Sequence, residues 1–279
     1  MAYAHNGDCD IFYETFGDPA NPALLMVNGL GSQCINYKDA WCQMFAERGL
    51  FVIRMDNRDM GLSTHFADAP TGDNGECYVL ADMAADCIAV LDALHIDAAH
   101  IMGLSMGGMI VQTVTIHHPT RVLTMTSVMS TTGEPGYGAP TEKAFALLTA
   151  PPATDRDSHI ERAIAGLREW GSPEFADEAR WAADAAAAYD RCFDPVGTTR
   201  QFLAIRASGS RGDLLTHVTT PTLVIHGDKD TLIDASGGRR TAELIPGARF
   251  ELVEGMGHDY PPQLWQRWVD LVAGHALGS

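Results

Sequence analysis

One serine, one histidine and one aspartate stand out by their neighbours. Ser105 lies in Gly103-Leu104-Ser105-Met106-Gly107, a G-x-S-x-G pentapeptide. The apolar run AHIMGL leads directly to it, and MGGMIVQTVTIHH begins a helical pattern directly after it. That is the strand, tight turn and helix on which a nucleophilic serine is raised. Small flanking residues let strand and helix approach, while the serine adopts a backbone conformation that side chains normally avoid. A hydroxyl is a weak nucleophile until a base takes its proton, and the base needs an acid to orient it. His258, in the glycine-flanked stretch VEGMGHDYPP beyond the last apolar run, is the expected base. Asp228 and Asp230 in HGDKDTLI compete for the acid. Asp230 lies farther past its strand, which gives it the reach to the histidine loop, so it is the expected partner.

Attack on a carbonyl also needs donors for the oxyanion. The Met106 amide, at the start of the helix after the serine, is one expected donor, helped by the helix N-terminus. The turn Asn28-Gly29-Leu30-Gly31 after the run ALLMV supplies the other, through the Leu30 amide. Asn28 and Gly29, with Trp170, Trp181 and Tyr189 from a later helical region, are expected to contact substrate. The chain has no H-E-x-x-H, no G-x-x-x-x-G-K-[ST] and no G-x-G-x-x-G after a strand, so no metal, nucleotide or flavin is expected and the cofactor expectation is none. Arg211-Gly212-Asp213 is read as an exposed turn.

The elements that must position these residues follow from periodicity. Apolar runs over 11–17, 23–29, 50–56, 99–105, 122–129, 222–228 and 249–255 read as strands. The middle ones are almost continuously hydrophobic, as parallel strands covered on both faces are. Helical patterns over about 36–48, 78–94, 106–118, 236–245 and 262–275 alternate with them. Repeated strand–helix–strand units make an α/β sheet with right-handed crossovers. The rhythm breaks from about 131 to 215, a stretch of Pro/Gly-rich hinges and Ala-rich helical segments too long for an ordinary connection. It reads as a helical cap (131–215) set into a core formed by 1–130 and 216–279. Its apolar and aromatic residues (Phe145, Leu148, Trp170, Trp181, Tyr189, Phe193 and Phe202) exceed what small solvated loops need. Two thirds of them read as the cap's own core, the rest as a lining for the acyl or alcohol group.

Taken together the motifs resemble those of the α/β-hydrolase fold family, in its capped esterase and lactonase type, over most of the chain. That family carries His-Gly after its third strand, D-x-R-G-x-G-x-S after its fourth, then G-x-S-x-G, G-x-x-D and a late G-H. The matching residues here are Asn28-Gly29, Asp56-Asn57-Arg58-Asp59-Met60-Gly61-Leu62-Ser63, the Ser105 elbow, Gly227-Asp228-Lys229-Asp230 and Gly257-His258. The order Ser, Asp, His along the chain is also that of this fold class. Asn28 stands where a histidine is usual, and Asp59 where a glycine is usual. Within the family the chain is similar to bacterial carboxylesterases of the aclacinomycin methylesterase kind. The resemblance implies a mostly parallel central sheet flanked by helices, with an inserted helical cap. It also implies a cofactor-free serine hydrolase acting on a small-molecule ester or lactone through an acyl-enzyme. A lactonase or C–C bond hydrolase with the same triad is the alternative within enzymes, and a ligand-binding receptor of this fold the alternative outside them.

Composition narrows the partners. Among 279 residues, 19 Lys and Arg stand against 36 Asp and Glu, a net charge of -17. A nucleic-acid grip or an anionic membrane surface needs a clustered basic footprint, so neither partner is expected. At 46% hydrophobic the chain can bury a sizeable core. Six cysteines include no CxxC pair and no zinc-like Cys/His spacing, which suits small hydrophobes in a reducing compartment. The N-terminus MAYAHNGDCD has no basic segment followed by an apolar run, and the longest strongly apolar run, Ala23 to Val27, is far short of a membrane span. A cytoplasmic protein is expected, its oligomeric state open.

Overall fold

The computed structural model describes residues 2–69 and 77–278. Eight strands form one sheet: β1 (Ala2–Asn6), β2 (Cys9–Phe16), β3 (Ala23–Val27), β4 (Phe51–Met55), β5 (Ala99–Leu104), β6 (Val122–Val128), β7 (Thr222–Gly227) and β8 (Arg249–Val253). Their spatial order is β1-β2-β4-β3-β5-β6-β7-β8. β2 runs antiparallel to β1 and to β4, and every pairing from β4 to β8 is parallel. The sheet is therefore mostly parallel, and β5, β7 and β8 deliver the loops that follow them to one edge.

Side-chain alternation assigns each strand residue to a face. Leu24 and Met26 of β3, Val52 of β4, and Met102 and Leu104 of β5 pack into one core cluster. Leu25 and Val27, Ile53 and Met55, and Ile101 point the other way into a second. Helices cover both clusters, which is why β3, β4, β5 and β7 are buried along their whole length. α1 (Asp39–Glu47) brings Trp41 and Phe45 to the first cluster. α2 (Leu80–Ala93) and α3 (Met106–His117) bring Met83, Val90, Ile110 and Val114 to the second.

Between β6 and β7 the described chain holds five α-helices, a 3-10 turn at Pro173–Phe175 and no strand: α4 (Glu142–Leu148), α5 (Arg156–Trp170), α6 (Glu178–Arg191), α7 (Pro195–Ser208) and the single turn α8 (Gly212–Leu215). Ala204 of α7 and Leu215 of α8 join the core cluster under α2 and α3. α9 (Ser236–Leu244) separates β7 from β8. α10 (Trp265–Leu277) closes the chain over α1, where Trp41 meets Trp268 edge-on at 5.6 Å and stacks on Tyr260 at 5.2 Å. No described helix is long and apolar enough to cross a membrane.

Two sequence expectations need correction. β1 was not among the expected strands. Its inward residues are Ala2, the fully buried Ala4 and Asn6, so it shows little hydrophobic alternation. The turn signal was present: Gly7, at φ 60°, and Asp8 link the paired residues Asn6 and Cys9. Arg211-Gly212-Asp213 is not an exposed turn. Arg211 is buried and donates to Gln112 Oε1 (3.1 Å), Gly209 O (3.2 Å) and Thr131 O (2.9 Å). Its guanidinium satisfies acceptors of two loops at once, and burial pulls its pKa down to about 10.

Candidate active site

Ser105 caps α3 with φ 56° and ψ −118°, a left-handed backbone rarely taken by a residue with a Cβ. Two glycines make that turn possible. A Cβ on Gly103 would lie 2.0 Å from Gly107 O, and one on Gly107 would lie 2.1 Å from Val27 O. Both approaches are to backbone, which has no rotamer to escape into. Hydrogen bonds then fix the turn: Ser105 N–H donates to Val128 O at 2.9 Å, and Ser130 Oγ donates to Ser105 O at 2.8 Å.

The segment after β3 is pressed against this serine. A Cβ on Gly29 would stand 3.2 Å from Ser105 Cβ. Asn28, in the usual histidine position, is buried and donates through Nδ2 to Gln33 O at 3.0 Å, while its carbonyl accepts from Asn57 Nδ2 at 2.9 Å. An amide side chain thus braces the loop across its own turn. Gly31 N–H donates to Gln201 Oε1 at 3.0 Å and Ser32 N–H to Gly29 O at 3.2 Å. Among the described residues the Leu30 amide has no partner, and the Met106 amide, first in α3, has none inside its helix. Both amides are thus without a partner among the described residues, one next to Gly29 and one next to Ser105 in the chain.

Asp230 follows β7 and is 7% exposed. Its Oδ1 accepts from the amides of Leu232 (2.9 Å) and Ile233 (2.8 Å), and its Oδ2 lies 2.6 Å from His258 Nδ1. The fully buried His226, on β7 itself, places Nε2 at 3.3 Å from the same Oδ2 and 2.8 Å from Ile233 O. Burial pushes the Asp230 carboxyl up; the charge of His258 and the hydrogen bonds of His226 and His258 outweigh it and hold the pKa at about 2. Asp228 is exposed, accepts from Gly255 N–H at 2.6 Å and pairs with Lys229 at 3.0 Å. It makes no contact with the histidine, so the geometry separates the two competing acids. Among the described residues neither Ser105 Oγ nor His258 Nε2 has a hydrogen-bond partner.

The three aromatic residues expected at the substrate lie in different settings. Trp170 ends α5, and its carbonyl accepts from His258 N–H at 2.5 Å. Trp181 of α6 is buried, with its indole N–H unpartnered. Tyr189 packs on Phe193 at 4.5 Å and His159 at 5.8 Å, inside an aromatic cluster of the inserted helices.

Several residues that sequence reasoning passed over tie the inserted helices to this site. Gln33 Nε2 donates to Ala188 O (2.8 Å) and Cys192 O (2.9 Å), and Arg191 reaches Asp56 at 2.7 Å. Asp59, in the usual glycine position, keeps a left-handed φ of 66° and forms a buried two-bond ion pair with Arg200 of α7 at 2.7 and 2.9 Å. A carboxylate where glycine is usual was the available signal that a cation must lie opposite. Asp59, His65 and Asp194 are near enough together to suggest metal ligands. Arg200 also reaches Asp194 at 3.3 Å, so a guanidinium already occupies the place of the cation.

Comparison with known proteins agrees with this architecture. Residues 22–260 match the alpha/beta hydrolase fold family, and the chain belongs to it. It is 30% identical to rhodomycin D methylesterase DnrP of Streptomyces peucetius, across 98% of this chain and 97% of that protein. It is 26% identical to 3-oxoadipate enol-lactonase 2 of Acinetobacter baylyi, across 95% and 93% respectively. The crystal structure of a hydrolase from Pseudomonas aeruginosa PA01 superimposes with a TM-score of 0.75 at 26% identity, covering 99% of this chain and 97% of that one.

Proposed function

We propose that this α/β hydrolase cleaves carboxylic esters of small molecules through an acyl-enzyme on Ser105. His258 Nε2 takes the proton as Ser105 Oγ attacks the carbonyl carbon. Asp230, ionised and held by two backbone amides, keeps the His258 Nδ1 proton toward itself and balances the charge that develops on the ring. The Leu30 and Met106 amides receive the oxyanion. His258 then protonates the departing alcohol, and a water activated by the same nitrogen releases the acid. The observation that carries this reading is the strained Ser105 at the head of α3, on the same sheet edge as the 2.6 Å Asp230–His258 pair.

The methylesterase relative favours a methyl ester as substrate, and the enol-lactonase relative makes a lactone the second reading. We place the substrate's larger group under the helices of residues 131–215, acting as a cap over a core of 1–130 and 216–279 in a cytoplasmic enzyme. Asn28, Gly29, Trp170, Trp181 and Tyr189 are the proposed contacts or supports. The test is initial-rate hydrolysis of methyl esters and lactones by the wild type and by Ser105→Ala. Ester cleavage that falls by a factor on the order of 10⁴ or more in the variant is expected. A variant keeping a tenth of wild-type turnover defeats the assignment, and a wild type active on lactones alone selects the second reading.

A further inference from the structure

Helix α5 ends beside both halves of the acid–base pair. The last carbonyls of a helix have no partner within it, and here they are used across the site. Glu169 O accepts from Thr231 Oγ1 at 2.8 Å, one residue beyond Asp230. Trp170 O accepts from the backbone N–H of His258 itself at 2.5 Å. Two residues on, Ser172 is fully buried and makes three bonds to the loop around His258. Its N–H donates to Asp259 Oδ1 at 2.9 Å, its hydroxyl donates to the same oxygen at 2.5 Å, and that hydroxyl accepts from Gly257 N–H at 2.9 Å. The residues before and after His258, and His258's own amide, are thus fastened to Trp170–Ser172, while Glu169 holds the loop of the acid.

Asp259 marks the clamp as specific. Its Oδ2 is buried without a partner, and an unmet buried carboxylate oxygen is costly. Oδ1 is spent entirely on Ser172. A loop needing only to be rigid could have closed on its own amides; this one closes on the inserted helices.

We infer that Ser172 is a positioning residue: through Asp259 and Gly257 it locks the His258 loop to the same helix end that holds the Asp230 loop, so that acid and base keep their mutual geometry. The inference rests on the reading of His258 and Asp230 given above. It makes the helical insertion part of the alignment of the catalytic histidine as well as a roof for substrate. Small misplacements of a base are expensive in rate and cheap in binding.

The experiment measures kcat and KM for ester hydrolysis in Ser172→Ala, Asp259→Ala, Asp259→Asn and the double alanine variant, with enzyme counted by fluorophosphonate titration of the reactive serine. Ser172→Ala and Asp259→Ala should each lose roughly tenfold or more in kcat per titrated site, with KM within about twofold of wild type. Asp259→Asn keeps an acceptor for Ser172 and should restore kcat to within about threefold. The double variant should be no worse than the poorer single one, because both break one unit. Ser172→Ala with kcat within twofold of wild type overturns the clamp, and so does a loss carried by KM alone. If neither alanine variant yields titratable enzyme, Asp259→Asn decides, and less than a third of wild-type kcat there overturns the proposal. A wild type with no titratable serine defeats the underlying catalytic reading instead, which keeps the two failures apart.

Discussion

The helices against the sheet and those of the insertion begin differently. α1, α2, α3, α9 and α10 start with no hydrogen bond to an N-cap side chain, though in the first turn of α2 Asp82 accepts from Val79 N–H at 2.8 Å. α4, α5, α6 and α7 each start with one, accepted by Thr141, Asp155, Asp177 and Asp194 in turn, and of the insertion's α-helices only the single turn α8 lacks it. Burial runs the opposite way between α3 and two helices of the insertion, while α7 buries four of its fourteen residues, much as α10 buries four of its thirteen. α3 buries ten of its twelve residues, whereas α5 buries only Gly166 and α6 only Trp181 and Ala185. A helix wedged against a sheet is specified by the apolar stripe it hides, and its first turn is held by packing. A helix that hides little needs local start signals. Polar attachments tie the insertion to the core through Arg191–Asp56, Arg200–Asp59 and Ser172–Asp259, beside the apolar seat of Ala204 and Leu215.

The largest effect that would test this contrast lies in the core. Trp268 of α10 is fully buried against Trp41, so Trp268→Ala should cost about 3–5 kcal/mol in urea unfolding. A cost under about 1 kcal/mol would break the comparison on the core side. The smaller effect lies in the insertion. Asp177→Ala removes the 3.0 Å acceptor for Arg180 N–H at the start of α6 and should cost about 1 kcal/mol. If that cap matters as much as the buried tryptophan, the insertion is not held by local signals in the way described.

The same contrast explains what could be read beforehand. The elbow was legible because its physics is local: glycines at 103 and 107, an apolar run before, a helical pattern after. The parallel strands were legible because two-sided burial leaves continuous hydrophobic runs. β1 escaped because alanines give a weak alternation, and Arg211 because a tripeptide carries no information about which loops fold over it. The insertion's helices could be placed, but not its attachments. Ser172, Gln33 and Arg191 are ordinary residues in sequence, and their importance comes from partners 85, 155 and 158 positions away. The choice between Asp228 and Asp230 was argued from reach alone. In the structure two amides and two histidines converge on Asp230, while Asp228 pairs with Lys229.

The central claim is that a strained serine at the head of α3, served by His258, is the nucleophile. It is tested most directly by treating the wild-type protein with a fluorophosphonate, recording the intact mass and mapping the modified peptide. One adduct per chain on Ser105 is predicted, formed in step with loss of ester hydrolysis and formed very slowly in His258→Ala. An adduct on a different residue, or full inactivation with Ser105 unmodified, would contradict the account.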